Sequence, residues 1–448
     1  NSAAFLELSI AVGELGGVFL PINYRLAADE VRYIVGNSSA QLLVADREFE
    51  ERLGTLPGVA YVDEPAQSDT RRLVGNRRER VASVPRREGD LFRLMYTSGT
   101  TDRPKGVMHT YDNFYWKSID HVIALGLSAA DRLLVVGPMY HVGAYDLPGL
   151  AVLWVGGMLC IHRDFDADAT LQSIQDERLT CGWMAPVMTS RVLDCPNRQR
   201  YDVSSFRWCI GGGEKTPESR ARAFTGLFTN GRYIDAYGLT ETCSGDTLME
   251  AGMEIPKIGS TGRALAHVRI EIRNEDGQPL APGEQGEVCL SGPKVTRGYW
   301  KDPVRTAASF WGSDWFRTGD VGYLDADGFL YLTDRKKDLV ISGGENIASS
   351  EVERVLYELP QIAEVAVVGK PDERWGERLV AVVVLRPGTT LDLETVTAHC
   401  RNKLASFKIP RELELREALP RNPSGKILKR VLRDEFAAPG GSHTGAKR

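Results

Sequence analysis

Residues 96–107 form the stretch of the chain whose residue types most clearly suggest chemistry. A short, mostly apolar run ends there and gives way to small and hydroxylated residues and then to a lysine. These residues are Thr97, Ser98, Gly99, Thr100, Thr101 and Lys105. Small residues let backbone N–H groups turn inward, hydroxyls add donors and a lysine brings a mobile positive charge, so the segment suits a polyphosphate. It is not the GxxxxGK[ST] loop, because neither Ser nor Thr follows Gly106. A solvated Ser/Thr/Gly turn is the structural alternative.

A second stretch, residues 233–242, reads YIDAYGLTET. Tyr237 offers an aromatic face for stacking, while Thr240 and Glu241 offer oxygen ligands. Mg²⁺ prefers such oxygen donors and usually keeps waters and substrate phosphates in its coordination shell. Taken alone the string is a weak signal, and it becomes a strong one because it follows the phosphate-type loop.

Three further positions have both a chemical and a structural interpretation. The glycines at 211–213 would let a flat ligand press on the backbone, or they form a tight strand-to-helix turn. Asp320 follows Thr-Gly and could accept hydrogen bonds from two vicinal hydroxyls, or it is an ordinary turn residue. Lys426 lies in an Asn-Pro-Ser-Gly-Lys loop, where a lysine is normally solvated.

Six motifs, the stretches above among them, occur in the same order as in the adenylate-forming superfamily, which the chain resembles over essentially its whole length. That superfamily contains acyl-CoA synthetases, adenylation domains of peptide synthetases and firefly-type luciferases. One departure is Asp102, where the family usually has glycine. An acid beside a triphosphate is unfavourable unless its side chain points outward.

The resemblance implies roles for individual residues. The nucleotide-binding set that it implies is Thr97, Ser98, Gly99, Thr100, Thr101, Lys105, Gly212, Gly213, Glu214, Asp235, Tyr237, Gly238, Asp320 and Arg335. The catalytic set that it implies is Lys426, Thr240, Glu241 and His141, with Thr240 and Glu241 also holding Mg²⁺. The implied acyl pocket consists of His141, Trp183, Gly211 and Gly238. For His141 the structural alternative is a histidine satisfied at a helix start, and for Trp183 it is plain core packing.

A second group of implied residues concerns CoA and the hinge between two domains. Lys337 falls on the hinge position, and the CoA-binding set is Gly343, Gly344, Trp375 and Phe407. Ile409 departs from relatives that carry an arginine there for a CoA phosphate, and Lys408 or Arg411 could substitute for it.

Length and composition are those of an ordinary multidomain globular protein. The chain has 448 residues, 42% of them hydrophobic and 26% charged, and a net charge of −5. Two or more domains are therefore expected, and neither nucleic acid nor an anionic membrane is an expected partner. The seven cysteines are scattered, without CxxC or zinc-like spacing, which favours reduced thiols in the cytoplasm. The most apolar stretch, 133–161, is expected to be a buried strand–helix–strand rather than a membrane helix.

The elements that would position these residues follow from the alternation of apolar runs. Helix-like and strand-like segments alternate over residues 11–45, including an expected strand at 18–22, and predict a parallel sheet covered by helices. Turn signals over 268–333 predict a small β subdomain. We expect an α/β chain with a large N-terminal domain over 1–334, a hinge at 335–337 and a small α+β domain over 338–448. Compared with the family, the first several dozen residues are expected to be missing.

The first hypothesis for function is an acyl-CoA synthetase that uses ATP, Mg²⁺ and CoA to activate a fatty or aryl carboxylic acid. A second hypothesis is an adenylate-forming enzyme that passes the acyl group to a carrier protein or an amine. A third is a nucleotide-binding protein that has lost catalysis, which would bind nucleotide without releasing AMP. The sequence leaves the identity of the acid and the oligomeric state open.

Overall fold

A computed structural model describes most of the chain, and the bounds below refer to the described residues. The parts outside the description are residues 54–55, 57, 63–80, 98–103, 213–217, 336–337, 343–344, 373–374, 402, 422–426 and 438–448, together with the side chains of 334–335 and 345–346.

The described helices are mostly short, and several begin at a side-chain cap. For example, the helix Tyr111–Leu125 begins at Thr110, whose hydroxyl accepts a hydrogen bond from the Asn113 amide, and ends at Gly126 in the left-handed region. The α-helices are α1 Ala3–Glu14, α2 Ala28–Ser38, α3 Glu50–Leu53, α4 Tyr111–Leu125, α5 Val142–Asp146, α6 Leu150–Trp154, α7 Ala167–Asp176, α8 Pro186–Leu193, α9 Glu218–Leu227, α10 Pro303–Ala308, α11 Ser349–Leu356, α12 Leu393–Arg401 and α13 Lys429–Ala437. Single 3₁₀ turns cover Arg47–Phe49, Arg198–Arg200, Thr240–Thr242 and Ser406–Lys408.

The described strands fall into five sheets. They are β1 Leu43–Ala45, β2 Val59–Tyr61, β3 Leu91–Thr97, β4 Lys105–Thr110, β5 Arg132–Val135, β6 Met158–Ile161, β7 Cys181–Trp183, β8 Trp208–Gly212, β9 Arg232–Tyr237, β10 Thr247–Leu248, β11 Arg263–Ala264, β12 Arg269–Arg273, β13 Gly286–Ser291, β14 Phe310–Trp311, β15 Trp315–Leu324, β16 Leu330–Arg335, β17 Val340–Ser342, β18 Glu345–Ile347, β19 Ile362–Asp372, β20 Gly376–Leu385 and β21 Glu412–Leu415.

The largest sheet has seven strands in the order β11-β10-β9-β8-β7-β5-β6. The five strands from β6 to β9 run parallel, and β10 and β11 are antiparallel additions. Helices must cover both faces of a parallel sheet, which is why these strands read as continuous apolar runs. The predicted buried strand–helix–strand over 133–161 is confirmed as β5, α5, α6 and β6.

A separate two-stranded hairpin, β3 and β4, carries the ends of the phosphate-type loop. Its register pairs Thr97 with Lys105, and Phe19 joins the outer edge of β3. The expected strand at 18–22 is wrong, because only the single bridge between Phe19 and Arg93 forms there. Pro21 lacks an N–H group and cannot donate to a ladder.

The β subdomain predicted over 268–333 is confirmed as a sheet in the order β12-β13-β15-β14, with β16 paired to β15. This pairing brings Asp320 opposite Arg335 across the ladder. The sheet thus holds the ends of two motifs that are separated in sequence.

The C-terminal part has its own sheet, in the order β18-β17-β20-β19, with β21 paired to β20. The described hydrophobic clusters of this part contain only residues from 340 onwards. The clusters that pack on the seven-stranded sheet contain only residues up to 332. Separate cores support two domains, and the boundaries at 334 and 337 stay a prediction. Within the described residues, no helix is long and apolar enough to cross a membrane.

Candidate active site

Lys105 leaves the hairpin beside the 3₁₀ turn that contains Thr240 and Glu241. Its Nζ lies 2.9 Å from Glu241 Oε1 and donates to the Tyr299 hydroxyl at 2.6 Å. The lysine of the first motif and the glutamate of the second therefore meet, although 136 positions separate them in the sequence. At the other end of the loop, the Thr97 hydroxyl is buried and has no hydrogen-bond partner among the residues that the structure describes.

Tyr299 joins these two charged groups, although its role was not predicted from the sequence. Its hydroxyl donates to Glu241 Oε1 at 2.9 Å, and Lys105 Nζ lies 4.1 Å from the centre of its ring. Burial, followed by the Glu241 carboxylate, raises the pKa of Tyr299 above its usual value, so the hydroxyl stays protonated. The segment around Tyr299 runs along the outer edge of β4, where Val107 pairs with it. The Gly-Tyr-Trp string that contains Tyr299 has no distinctive chemistry, so the sequence carries no signal for this residue.

A cavity of about 330 Å³ lies against this cluster. Its lining includes Lys105, Glu241 and Tyr299 on one side, and Arg317, Thr318 and Gly319 on the other. The last three residues lead directly to Asp320. The cavity therefore extends from Lys105, which follows the phosphate-type loop, to the segment that precedes Asp320.

Asp320 and Tyr237 lie together, as the resemblance requires. The Tyr237 hydroxyl donates to Asp320 Oδ2 at 2.8 Å, and the Asp320 amide donates to the Thr318 hydroxyl at 3.0 Å. Burial, with the Asp320 carboxylate as a second cause, raises the pKa of Tyr237 well above its usual value. Tyr237 thus orients Asp320 in addition to offering a ring. The role of Asp320 in binding ribose stays a prediction.

The carboxyl ends of β8 and β9 carry the implied adenine-binding residues side by side. Gly211 pairs with Asp235, and Gly212 pairs with Ala236. A Cβ on Gly211 would fall 1.8 Å from Tyr233 Oη, and one on Gly238 would fall 2.3 Å from the Gly245 amide nitrogen. At both positions neighbouring protein atoms leave no space for a side chain, so glycine is required. This agrees with the structural interpretation of the glycine pattern. Binding of a flat ligand at these glycines stays a prediction.

On the implied acyl side, His141 occupies the helix start that its structural alternative described. Its Nδ1 accepts the Gly143 amide at 3.1 Å and caps α5. The Trp183 ring packs against Gly137 and Gly143, since a Cβ added to either glycine would fall 2.4 Å from the indole. His141 and Trp183 thus both lie against Gly143, and their role in an acyl pocket stays a prediction.

In the C-terminal part, Trp375 and Phe407 lie near the basic residues considered for CoA. The Arg411 guanidinium lies 4.9 Å from the centre of the Trp375 ring. Phe407 is exposed, whereas Lys408 next to it forms an ion pair with Glu351 at 2.7 Å. Of the two residues considered to replace the missing arginine, Lys408 is thus held by a carboxylate.

Thr240 and Glu241 fit a magnesium ion that is shared with a substrate. No cluster of three or more His, Cys, Asp or Glu side chains that could hold a metal exists among the described residues. A hydroxyl and a carboxylate on one turn are hard oxygen donors, and Mg²⁺ is usually bound by one or two such groups together with substrate phosphates. The donor set therefore suits magnesium that arrives with a nucleotide.

Several predicted site residues lie outside the described residues, so their placement stays a prediction. They are Ser98, Gly99, Thr100, Thr101, Gly213, Glu214, Lys337, Gly343, Gly344 and Lys426, together with Asp102 and the side chain of Arg335.

Comparison with protein families matches most of the chain. Residues 1–300 match the family described as "AMP-binding enzyme", and residues 351–426 match "AMP-binding enzyme C-terminal domain". The feruloyl-CoA synthase of an Amycolatopsis species is 35% identical over 436 residues, which cover 97% of this chain and 87% of that protein. The long-chain-fatty-acid–CoA ligase FadD13 of Mycobacterium tuberculosis is 35% identical over 444 residues, covering 98% and 87%.

Solved structures agree with this assignment at the level of the fold. ATP-bound MatB from Rhodopseudomonas palustris superposes with a TM-score of 0.90 at 29% identity, covering 97% of this chain and 87% of that one. O-succinylbenzoate coenzyme A synthetase (MenE) from Bacillus subtilis, in complex with ATP and a magnesium ion, gives 0.84 at 30% identity, covering 97% and 87%. The amide bond synthetase McbA from Marinactinospora thermotolerans gives 0.88 at 29%, covering 98% and 88%.

Proposed function

This chain belongs to the AMP-binding enzyme family, and we propose that it is an AMP-forming acid–thiol ligase. It converts a carboxylic acid, ATP and CoA into an acyl-CoA, AMP and pyrophosphate. The observation that carries the proposal is the cluster of Lys105, Glu241 and Tyr299 beside the turn that leads to Asp320. A phosphate-binding lysine and a magnesium carboxylate then border one cavity, which is also lined by the segment that precedes the ribose-binding Asp320.

The first half-reaction makes the acid reactive. A carboxylate is a poor electrophile, because its charge resists attack and oxide is a bad leaving group. Attack of a carboxylate oxygen on the α-phosphorus of ATP forms an acyl adenylate and releases pyrophosphate. Charge spreads over phosphate oxygens in that step, so catalysis is mainly positioning and electrostatic stabilisation. Lys105 binds the departing phosphates, Asp320 holds the ribose, and Lys426 approaches the carboxylate and the α-phosphate.

Magnesium bound by Thr240 and Glu241 would neutralise part of the triphosphate charge. The protein contributes the turn that presents both ligands. The Tyr299 hydroxyl donates a hydrogen bond to Glu241 Oε1 and so orients the carboxylate. The other oxygen, Oε2, is left to coordinate the ion.

In the second half-reaction the CoA thiol attacks the carbonyl carbon of the adenylate, and AMP leaves. Trp375 and Phe407 contact CoA, with Gly343 and Gly344 lining the thiol channel. The C-terminal domain, residues 338–448, turns about Lys337 between the two steps, so that Lys426 withdraws when the thiol enters. Separate hydrophobic cores on the two sides of the hinge support this motion.

The acid is an aryl or fatty carboxylic acid. The relatives include a feruloyl-CoA synthase and a long-chain-fatty-acid–CoA ligase, whose names span both classes. The aromatic wall of Trp183 beside His141 supports binding of a flat or apolar acyl group. A cytoplasmic location is part of the proposal and is supported by seven cysteines that are all free thiols.

A second candidate function differs only in the acceptor, which would be an amine or a carrier-protein thiol. It is favoured by the high similarity of the fold to the amide bond synthetase McbA. It shares the adenylation step and predicts no consumption of CoA.

The test is to incubate the protein with ATP, Mg²⁺, CoA and a panel of aryl and fatty acids, and to quantify AMP and acyl-CoA. We expect equal amounts of both products with at least one acid. Lys426→Ala should reduce adenylation by about 10²–10³-fold, as removal of one well-placed donor does. Arg430→Ala, whose side chain is 70% exposed, is the control and should retain activity. AMP without acyl-CoA would indicate the second candidate, and neither product with any acid would overturn the proposal.

A further inference from the structure

A buried ion pair lies beneath the magnesium-binding turn. The Arg93 guanidinium makes two hydrogen bonds to the Asp146 carboxylate, NH1 to Oδ1 at 3.0 Å and NH2 to Oδ2 at 2.7 Å. Both side chains are fully buried. A bidentate pair of this kind fixes orientation as well as charge. Neither residue belongs to a motif that the proposed function uses.

His109 connects this ion pair to the turn. Its Nδ1 lies 3.0 Å from Arg93 Nε and 2.9 Å from Arg93 NH2, and its Nε2 lies 2.6 Å from the backbone oxygen of Thr240. A guanidinium can only donate, so Nδ1 must be the acceptor. Nε2 therefore carries the proton and donates it to the Thr240 carbonyl. Burial, and then the Arg93 charge, hold the pKa of His109 well below its usual value, which agrees with a neutral ring.

The connection joins three parts of the site. Arg93 is on β3, four residues before Thr97, and His109 is on β4, four residues after Lys105. Asp146 ends α5, the helix that His141 caps. Both strands of the phosphate-binding hairpin are thus tied through side chains to the turn and to the acyl side.

The hydrogen bond acts on the peptide that separates the two magnesium ligands. The Thr240 carbonyl oxygen defines the plane of the peptide between Thr240 and Glu241. The next carbonyl, that of Glu241, accepts the Thr296 amide at 2.7 Å. With both carbonyls held from the protein interior, the hydroxyl of Thr240 and the carboxylate of Glu241 have little freedom relative to the hairpin. A displacement of about 1 Å in such ligands can lower a rate substantially.

We propose that His109, oriented by Arg93 and Asp146, is a positioning residue that sets the Thr240–Glu241 turn for binding of the magnesium–triphosphate group. The inference rests on the proposed function. It assigns to a buried histidine a role in nucleotide binding rather than in proton transfer.

Two substitutions separate positioning from packing. Asn places an amide oxygen near the position of Nδ1, so His109→Asn still satisfies Arg93 but cannot reach Thr240. Gln is longer and can donate to the Thr240 carbonyl, so His109→Gln restores the bond. The readout is calorimetric affinity for ATP with Mg²⁺ and for AMP in EDTA, together with the thermal melting temperature.

We expect His109→Asn to weaken MgATP binding by about tenfold or more, the usual effect of losing one buried hydrogen bond to a site. Its affinity for AMP in EDTA should stay within about twofold, and His109→Gln should recover most of the loss. Equal loss for both nucleotides, no loss at all, or no recovery in His109→Gln would overturn the inference. Failure of the proposed function is recognised separately, by the absence of acid-dependent products in the unaltered protein.

If His109→Asn does not fold, nuclear magnetic resonance of His109 in the unaltered protein tests the inference instead. The imidazole should be the Nε2–H tautomer, and solvent exchange of that proton should slow when MgATP binds. A proton on Nδ1, or an exchange rate that MgATP leaves unchanged, would overturn the inference.

Discussion

The Tyr299 hydroxyl lies between the two charged side chains of the candidate site, because it accepts a hydrogen bond from Lys105 and donates one to Glu241. Lys105 and Glu241 stand in recognisable strings, so their chemistry could be predicted, and the structure brings them within 2.9 Å. Tyr299 could not be found in this way, because one tyrosine in a Gly-Tyr-Trp string has no distinctive chemistry until its neighbours are known. Arg93 was detectable in principle, since an arginine inside the apolar strand LFRLMY requires a buried partner.

The first prediction concerns the Tyr299 hydroxyl. Tyr299→Phe keeps the ring beneath Lys105 but removes the hydrogen bonds to Lys105 and Glu241. We expect kcat/KM for ATP to fall about tenfold or more, because hydrogen bonds to charged groups contribute about 1.5–3 kcal/mol. Steady-state kinetics with saturating acid and CoA measures this. Tyr323→Phe, whose ring stacks on Tyr331, is the control. Equal kinetics of Tyr299→Phe and the unaltered enzyme would contradict the role given to the hydroxyl.

The second prediction concerns His121, which is fully buried. Burial, and then the Lys117 and Lys294 charges, hold its pKa well below the usual 6.5. Below pH 6.5 the unfolded chain therefore takes up a proton that the folded chain refuses, and the free energy of unfolding decreases as pH falls. The contribution of one histidine is at most about 1.4 kcal/mol per pH unit and vanishes above pH 6.5.

Urea unfolding at pH 7.5, 6.5 and 5.5 tests this, with His121→Gln as the comparison. Gln does not titrate, so the variant should lose stability less steeply than the unaltered protein below pH 6.5. Equal slopes would show that His121 does not resist protonation in the folded state.

Among the strands, those with long apolar runs could be predicted from the sequence, whereas the short run at 18–22 could not. The parallel strands and the sheets of the β subdomain and the C-terminal domain were predictable, because buried strands require continuous or alternating apolar residues. The strand expected at 18–22 was wrong because tertiary pairing leaves only one bridge there. Register between distant strands, such as Gly211 opposite Asp235, follows from the packed sheet and cannot be read from either strand alone.

The third prediction tests why β8 ends in glycine. Gly211→Ala would place a methyl group 1.8 Å from Tyr233 Oη, and buried Tyr233 has no room to withdraw. We expect a loss of about 1–3 kcal/mol in the free energy of unfolding, together with weaker AMP binding.

The matched control is Gly226→Ala on α9, where nothing lies within 4 Å of the added methyl group. It should stabilise the protein by about 0.4–1 kcal/mol, since alanine favours the helix and restricts the unfolded chain. Urea unfolding and calorimetry on both variants measure the difference. An unaffected Gly211→Ala variant would refute the close approach.

At the scale of the whole molecule, two hydrophobic cores support two domains with separable tasks. We propose that nucleotide and acid bind to the N-terminal domain and that Trp375 and Phe407 on the C-terminal domain contact CoA. The order of motifs predicts this division of labour, which stays a prediction. The relative position of the domains in each half-reaction could not be predicted, because motion about a hinge leaves no periodic signal in the sequence.

The fourth prediction separates the two half-reactions. Trp375→Ala removes the ring that Arg411 covers, and should raise KM for CoA about tenfold, the value of an aromatic contact of about 1–1.5 kcal/mol. Acid-dependent exchange of pyrophosphate into ATP, which needs no CoA, should remain unchanged. Trp154→Ala, a 53% exposed tryptophan of the N-terminal domain, is the control for loss of an indole. If CoA-dependent turnover and pyrophosphate exchange fell together, Trp375 would stabilise the fold rather than bind CoA.

Attack of the carboxylate on the α-phosphorus of ATP can be followed with an oxygen isotope. An accepted acid with ¹⁸O in both carboxylate oxygens is incubated with ATP, Mg²⁺ and CoA, and the products are analysed by mass spectrometry. We expect one ¹⁸O atom in each AMP and none in pyrophosphate, because the bridging oxygen of the adenylate leaves with AMP. Label in pyrophosphate or phosphate, or unlabelled AMP, would contradict an acyl adenylate intermediate.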